Sequence, residues 1–336
     1  MRATDLLTLS DKGLYCPLGK FYVDPHKPCG RAVITHGHAD HCRRGHRAIL
    51  ATPETVAIAH ARYGEKSFGS ARALAYGEVL RIGEVDVSLH PAGHVLGSAQ
   101  VLIEHGGRRA VVSGDYKRRA DPSCQPFELV RCDLFITEAT FGLPVFHHPP
   151  AQDEIAKLIS SLETFPRYSH VIGTYALGKA QRLIGELRAA GHDRPIYIHG
   201  ALRKLCDLYQ RLGVDLGDLQ DAKAAGDKDR FRGEVVLAPP SAIADRWARR
   251  LPDARTGVAS GWMSVRQRAK QRGVELPLVI SDHADWPELI QTIKDTGAED
   301  VWVTHGREDA LVHWCETQGI RARPLTLAGL VDEAEE

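Results

Sequence analysis

A chain of 336 residues, 43% of them apolar and 26% charged, holds enough core material for one large domain or two of ordinary size. Its 43 basic and 43 acidic residues cancel, which excludes attraction to nucleic acid through overall charge and leaves local basic patches for that purpose. Seven cysteines form no CxxC pair and are odd in number, as suits a reducing cytoplasm; no secretory leader opens the sequence and no apolar run is long enough to span a bilayer.

Short β-branched runs, read as strands, repeatedly end in a residue that binds metals or moves protons. Phe21-Tyr22-Val23 ends in Asp24, and Val33-Ile34-Thr35 ends in His36. Val111-Val112-Ser113-Gly114 leads to Asp115, and Leu134-Phe135-Ile136-Thr137 to Glu138. Leu278-Val279-Ile280-Ser281-Asp282 leads to His283, and Val301-Trp302-Val303-Thr304 to His305. Layered α/β proteins place chemistry at strand ends, where loops converge; plain strand termination would explain one or two such residues, not six of one chemical kind.

The second of these strand ends opens Thr35-His-Gly-His-Ala-Asp-His41, three imidazoles and a carboxylate within six positions. Packing does not call for such density of polar groups after an apolar run, whereas zinc takes nitrogen and carboxylate ligands at about 2.0–2.2 Å. Between residues 150 and 260 the texture changes. Helical patterns at 153–162, 179–189, 201–212 and 242–251 alternate with strands at Val171-Ile172, Ile196-Tyr197-Ile198 and Val235-Val236-Leu237, the rhythm of a parallel sheet. Ligand-type strand ends on both sides mark this stretch as a domain inserted in another: residues 1–148 and 273–336 form the outer domain, and 149–272 the insert.

With His94 in Pro91-Ala-Gly-His-Val-Leu-Gly-Ser98, Asp115 in Ser113-Gly-Asp-Tyr116, Glu138 in Thr137-Glu-Ala-Thr, His283 in Ser281-Asp-His-Ala-Asp285 and His305 in Thr304-His-Gly306, the chain resembles the metallo-β-lactamase superfamily. Within it, the resemblance is to the β-CASP nucleases, and among these to the bacterial exonucleases associated with DNA ligases, relatives of the Artemis type. It implies an α/β fold: an αββα sandwich carrying an inserted β-CASP domain of parallel sheet and flanking helices. It further implies two zinc ions, with manganese the alternative. One would be held by His36, His38 and His94, the other by Asp40, His41 and His305, with Asp115 shared. Asp24 would orient a zinc-bound histidine. His283 would act as the general acid, oriented by Glu138, and Asp115 and Asp40 would complete the catalytic set.

Arg43, Arg44 and Arg47 follow the metal motif, and Lys117, Arg118 and Arg119 follow Asp115; Arg266, Arg268, Lys270 and Arg272 lie near Trp262. These are candidate phosphate contacts, with Trp262 a candidate stacking platform. Gly173-Thr-Tyr-Ala-Leu-Gly178-Lys179 nearly matches a P-loop, but Ala180 stands where a magnesium-binding hydroxyl is required, so Lys179 is a candidate for a nucleic-acid phosphate rather than for ATP. The resemblance implies a cytoplasmic DNA exonuclease of end processing and repair, acting on single-stranded or free-ended DNA beside an ATP-dependent DNA ligase and helicase. RNA processing by a β-CASP ribonuclease is the alternative, to which His305 points. The metal motif alone also permits hydrolysis of a thioester, lactone or β-lactam, against which the long insert, the arginine clusters and the Glu138–His283 pair argue; a scaffold without activity is the third class, against which the intact ligand set argues.

Overall fold

The computed structural model describes residues 2–223, 228–243, 245, 247–271 and 273–325. They fall into two compact units, the first drawn from Met1–Ala120, Cys124–His147 and His283–Glu336, the second from Asp121–Ser123 and His148–Asp282. The second unit runs on past residue 272, because strand Leu276–Leu278 pairs in parallel with Arg255–Ala259. No helix of the described residues is long and apolar enough to cross a membrane.

Two sheets build the first unit. One has six strands in chain order, from Thr8–Ser10 through Gly13–Cys16, Phe21–Val23, Ala32–Val33 and Ile49–Ala51 to Ala71–Ala73. The other has seven, ordered Arg321–Pro324, Asp300–Gly306, Leu134–Ala139, Arg108–Val112, Ala99–His105, Val85–Pro91 and Val79–Ile82. Successive strand residues point to opposite faces, and here both faces are apolar. Val87, Leu89, Val101, Ile103, Leu134, Ile136 and Trp302 share one core cluster with Leu14, Phe21, Val23 and Leu50 of the six-stranded sheet. The intervening residues Leu102, Val111, Phe135, Val301 and Val303 pack instead on Leu289 and Ile293 of helix Trp286–Thr296 and Leu311 and Cys315 of helix Glu308–Thr317. Ala32, Ile34, Ile49 and Ala51 meet Ala59 of helix Pro53–Tyr63 on the outer side of the six-stranded sheet. The layers are therefore helix, sheet, sheet and helix, an α/β architecture set by three apolar interfaces.

The second unit is built on a parallel six-stranded sheet, ordered Leu219–Asp221, Ile196–Ile198, Val235–Ala238, His170–Gly173, Arg255–Ala259 and Leu276–Leu278. Its inner strands are near-continuous apolar runs, as burial on both faces requires. Helices Ala151–Thr164, Lys179–Ala189 and Gly200–Arg211 follow the expected positions. The helix expected over 242–251 does not form. A four-residue helix, Pro240–Ile243, gives way to a 3-10 turn at Ala248–Arg250, with residues 244 and 246 outside the described set. Ile243 and Trp247 both reach the cluster of Val171, Tyr197, Phe231 and Val236, and Trp247 also meets the edge of the His199 ring at 4.8 Å. Tertiary contact here overrides local propensity.

Within the second unit Arg182, 2% exposed, lies among carboxylates: its Nε is 3.7 Å from Asp121 and 3.6 Å from Glu186, and its guanidinium also reaches Asp282 at 3.4 Å and the Ser281 carbonyl. Removing one partner from a buried ionic cluster leaves the others uncompensated, at a cost of about 3–5 kcal/mol. Arg182→Met should lower stability by that amount in urea denaturation followed by circular dichroism; a change below ~1 kcal/mol would mean the cluster contributes little.

Candidate metal centre

The first unit gathers its chemistry at strand ends. Residues 35–41 leave strand Ala32–Val33 without entering a helix; the turn is closed by Cys42 N–H donating to the His38 carbonyl at 2.8 Å, and Arg62 of helix Pro53–Tyr63 donates to the Gly37 carbonyl at 2.6 Å. His94 sits in the loop after strand Val85–Pro91, where Ser98 Oγ accepts from the His94 and Val95 N–H groups at 3.0 and 3.2 Å. Gly114, just before Asp115, has φ +55° and a Cβ there would lie 2.7 Å from Thr35, so only glycine lets the two loops meet.

His36 Nε2 and His38 Nδ1 are 3.1 Å apart, and His94 Nε2 lies 3.0 Å from the same His38 nitrogen. Asp115 Oδ2 is 3.4 Å from His36 Nε2 and 3.8 Å from His94 Nε2. Ligands about 2.0–2.1 Å from a tetrahedral zinc stand about 3.3–3.4 Å from each other, so these four atoms have the spacing of one coordination shell. Asp40, His41 and His305 form a second donor group. His41 Nε2 is 3.5 Å from Asp40 and 3.4 Å from Asp115 Oδ2, and the His41 and His305 rings stack at 4.7 Å. The Asp115 carboxylate thus faces both groups. Asp115 Oδ1 and His41 Nε2 are buried without a hydrogen-bond partner among the described residues, an expensive arrangement that a bound cation relieves. The donor set fits zinc or a similar divalent ion.

The far side of each ring fixes its tautomer. Thr35 Oγ1 donates to Asp24 Oδ2 at 2.5 Å, so the contact of 3.0 Å between Thr35 Oγ1 and His36 Nδ1 has the imidazole as donor. His41 Nδ1 donates to Asp24 Oδ2 at 2.8 Å, and the Thr35 backbone N–H to Asp24 Oδ1 at 2.8 Å. His36 therefore presents an Nε2 lone pair inward, and His41 does so once its Nε2 proton leaves, the outer-partner arrangement of metal-binding histidines. Asp24 and His305 have φ of +44° and +56°, a left-handed conformation that costs non-glycine residues free energy and that clusters at functional sites.

Burial pushes His36 well below its ordinary pKa, aided by repulsion from His41, and lowers His305 in the same way. Burial also opposes charge on His41, but Asp115 and Asp40 outweigh it and raise that imidazole well above its usual value. Burial likewise opposes the charge on Asp115, yet His41 holds its carboxyl well below the carboxylate range. The sign follows. His36 and His305 are neutral and ready to ligate near pH 7, whereas a cation reaching His41 displaces a proton and gains affinity as pH rises.

Beside these groups His283 Nδ1 lies 2.9 Å from Glu138 Oε2, while Glu138 Oε1 accepts the Tyr116 backbone N–H at 2.7 Å. The His283 ring is 4.7 Å from that of His94. Asp285 caps helix Trp286–Thr296 through the Glu288 N–H. Thr35, Ser98 and the Tyr116 N–H were not among the expected site residues, although all three stand in the motifs that marked the site.

The basic clusters need correction. Lys117, expected at a phosphate, is 1% exposed; its Nζ donates to the carbonyls of Gly93 and, at 2.9 Å, His94, and so holds the His94 loop. Lys179 is 5% exposed and its Nζ lies 2.8 Å from Asp282. Arg118 pairs with Asp295 at 2.6 Å, and Arg119 with Asp285 and Glu288. Arg268 lies over the Trp262 ring at 4.0 Å and covers one of its faces. Arg44, Arg47, Arg266 and Lys270 are exposed, and Arg43 is half-buried. Arg272 lies outside the described residues.

No family model matches the chain. A protein of Opitutus terrae named "Probable DNA ligase" is 30% identical over 92% of this chain and 30% of its own length. A ribonuclease of Thermus thermophilus is 31% identical over 63% of this chain and 56% of its own, and an endoribonuclease of Aspergillus fumigatus 28% identical over 60% and 29%. The chain thus spans between about a third and just over half of the length of these relatives. Among solved structures, a protein of unknown function from Enterococcus faecalis superposes with a TM-score of 0.60 at 13% identity, covering 89% of this chain and 80% of that one, a likeness of fold.

Asp24 accepts from His41 and twice from Thr35, so Asp24→Asn removes the anion that orients the His41 donor group. Loss of such a partner weakens metal binding roughly 10–100-fold. Competition with a chromophoric zinc chelator should show zinc affinity weakened by that factor in the variant; unchanged affinity would reduce Asp24 to a turn residue.

Proposed function

From the chain's kinship with the β-CASP nucleases of the metallo-β-lactamase superfamily, we propose that it is a two-metal phosphodiesterase that hydrolyses DNA as an exonuclease in end processing. The observation that carries this reading is the Asp115 carboxylate between two donor groups, with a carboxylate–imidazole pair beside them. His36, His38 and His94 would hold one ion, Asp40, His41 and His305 the other, and Asp115 both, with zinc the expected metal. Two such ions would supply Lewis acidity for an in-line phosphoryl displacement.

The chain's own residues supply the rest. Glu138 is pinned by the Tyr116 N–H, so its second oxygen holds His283 Nδ1–H and stabilises the imidazolium. His283 Nε2–H then protonates the departing sugar oxygen, and Glu138 keeps the ring aimed as the proton leaves. DNA as substrate is supported by the relative named as a DNA ligase, which matches nearly the whole chain; a DNA ligase and a helicase are the partners proposed with it. The RNA reading has its own support in the relatives named as ribonucleases. Seven cysteines without a disulfide accord with the cytoplasm.

A time course on end-labelled DNA and matched RNA separates the two substrates, and stepwise loss from one end marks exonuclease action. His283→Ala should lower kcat on an oligonucleotide by roughly 10²–10⁴. On bis(p-nitrophenyl) phosphate, whose leaving group needs no proton, the loss should be far smaller. Equal losses on the two substrates would remove His283 from the acid role.

A further inference from the structure

The six-stranded sheet of the first unit carries a second polar cavity, distinct in its lining from the metal centre. It has a volume of about 1030 Å³ and is lined by Tyr15, Lys20, Tyr22, Arg31 and Arg47 around the glycine-containing turns at Gly19 and Gly83. Arg31 and Arg47 precede the strands Ala32–Val33 and Ile49–Ala51, whereas the metal motif follows the first of these strands. The cavity therefore lies toward the opposite strand ends from His36. We propose that it is an accessory site for single-stranded nucleic acid, binding a segment of the substrate away from the hydrolysed bond. The proposal rests on the nucleic-acid reading above and extends it to a second contact.

Three features carry it. The first is charge. Several surface arginines of this unit face carboxylates: Arg81 meets Asp86 at 3.0 Å, Arg109 meets Glu104 at 3.0 Å and Arg118 meets Asp295 at 2.6 Å. Lys20 and Arg47, both exposed, have no side-chain partner among the described residues, and Arg31 has only the Gly19 carbonyl at 3.4 Å. In a chain of zero net charge, three cations without a carboxylate partner around one cavity are a local concentration. One acid, Glu84, also lines it, which leaves the balance positive.

The second feature is aromatic. Tyr15 and Tyr22 are opposite one another on adjacent antiparallel strands, with ring centroids 4.7 Å apart. Their neighbours Leu14, Cys16, Phe21 and Val23 point into the core between the sheets, so the tyrosines occupy the outer face, half-buried. The third is the backbone. Lys20 has φ +53° where the turn 17–20 enters strand Phe21–Val23, an uncommon conformation for a side-chain-bearing residue. Cations that track a backbone beside aromatic faces that stack on bases are the elements of single-strand recognition; a duplex would not expose its bases to the rings.

The test uses the full chain with metal removed by chelation, so that binding is read without hydrolysis, and a fluorescein-labelled 20-nucleotide oligo-dT as probe. Fluorescence anisotropy is recorded between 25 and 200 mM salt. Each phosphate contact to a single strand contributes about 0.7 to the slope of log affinity against log salt. The triple variant Lys20→Ala/Arg31→Ala/Arg47→Ala should therefore show a slope shallower by about 2. Tyr15→Leu should weaken binding about five- to 150-fold with the slope unchanged, because a stacked base contributes without charge. Thermal denaturation checks that both variants fold. Wild-type affinity and slope in the folded triple variant would overturn the accessory site. Binding lost in the variant, but no cleavage by the metal-loaded wild type, would keep this site and overturn the nuclease reading instead.

Discussion

One buried carboxylate organises the first unit. Asp115 is an anion placed where burial alone would neutralise it, and it remains charged because imidazoles converge on it from two loops. The arrangement is costly in isolation: Asp115 Oδ1 and His41 Nε2 are buried and unpartnered among the described residues. Such cost persists only where the surrounding structure is rigid enough to enforce it. Here rigidity comes from strands packed on both faces and from Gly114, whose missing side chain lets the Asp115 and Thr35 loops meet.

Around that carboxylate the outer hydrogen bonds matter as much as the inner donors. Asp24 serves His41 and Thr35 together, Thr35 serves His36, and Glu138 serves His283. Each of these three rings is thereby held in one orientation before any ligand arrives. The left-handed backbones of Asp24 and His305 show where the fold accepts strain to do this. Preorganisation of this kind favours catalysis because little rearrangement is left to the reacting state.

Much of this was legible in the sequence, for a definable reason. Residues of the kinds that bind metal stand at strand ends, strands are short apolar runs, and the residue closing each run is visible without knowing what it faces. His36, His38, Asp40 and His41 are also local to one another, so their density is itself the signal. The layered α/β architecture follows from the same runs, which are apolar on both faces. Burial of long polar side chains was not legible. Lys117 stands among arginines and looks like one of a surface cluster, yet it is enclosed to hold the His94 loop; Lys179 is enclosed against Asp282. Nothing local distinguishes a solvated lysine from one whose partner lies in a distant segment. The helix expected over 242–251 failed for a related reason, since Trp247 is placed by His199 and the sheet rather than by its own neighbours.

The shared carboxylate is tested most directly by the ratio of metal to protein. Purified chain loaded with zinc and freed of excess should carry two ions by elemental analysis, and Asp115→Asn, folded to the same extent, should carry fewer than one. A wild-type ratio near zero, or an undiminished ratio of two in the variant, would contradict a centre that depends on Asp115.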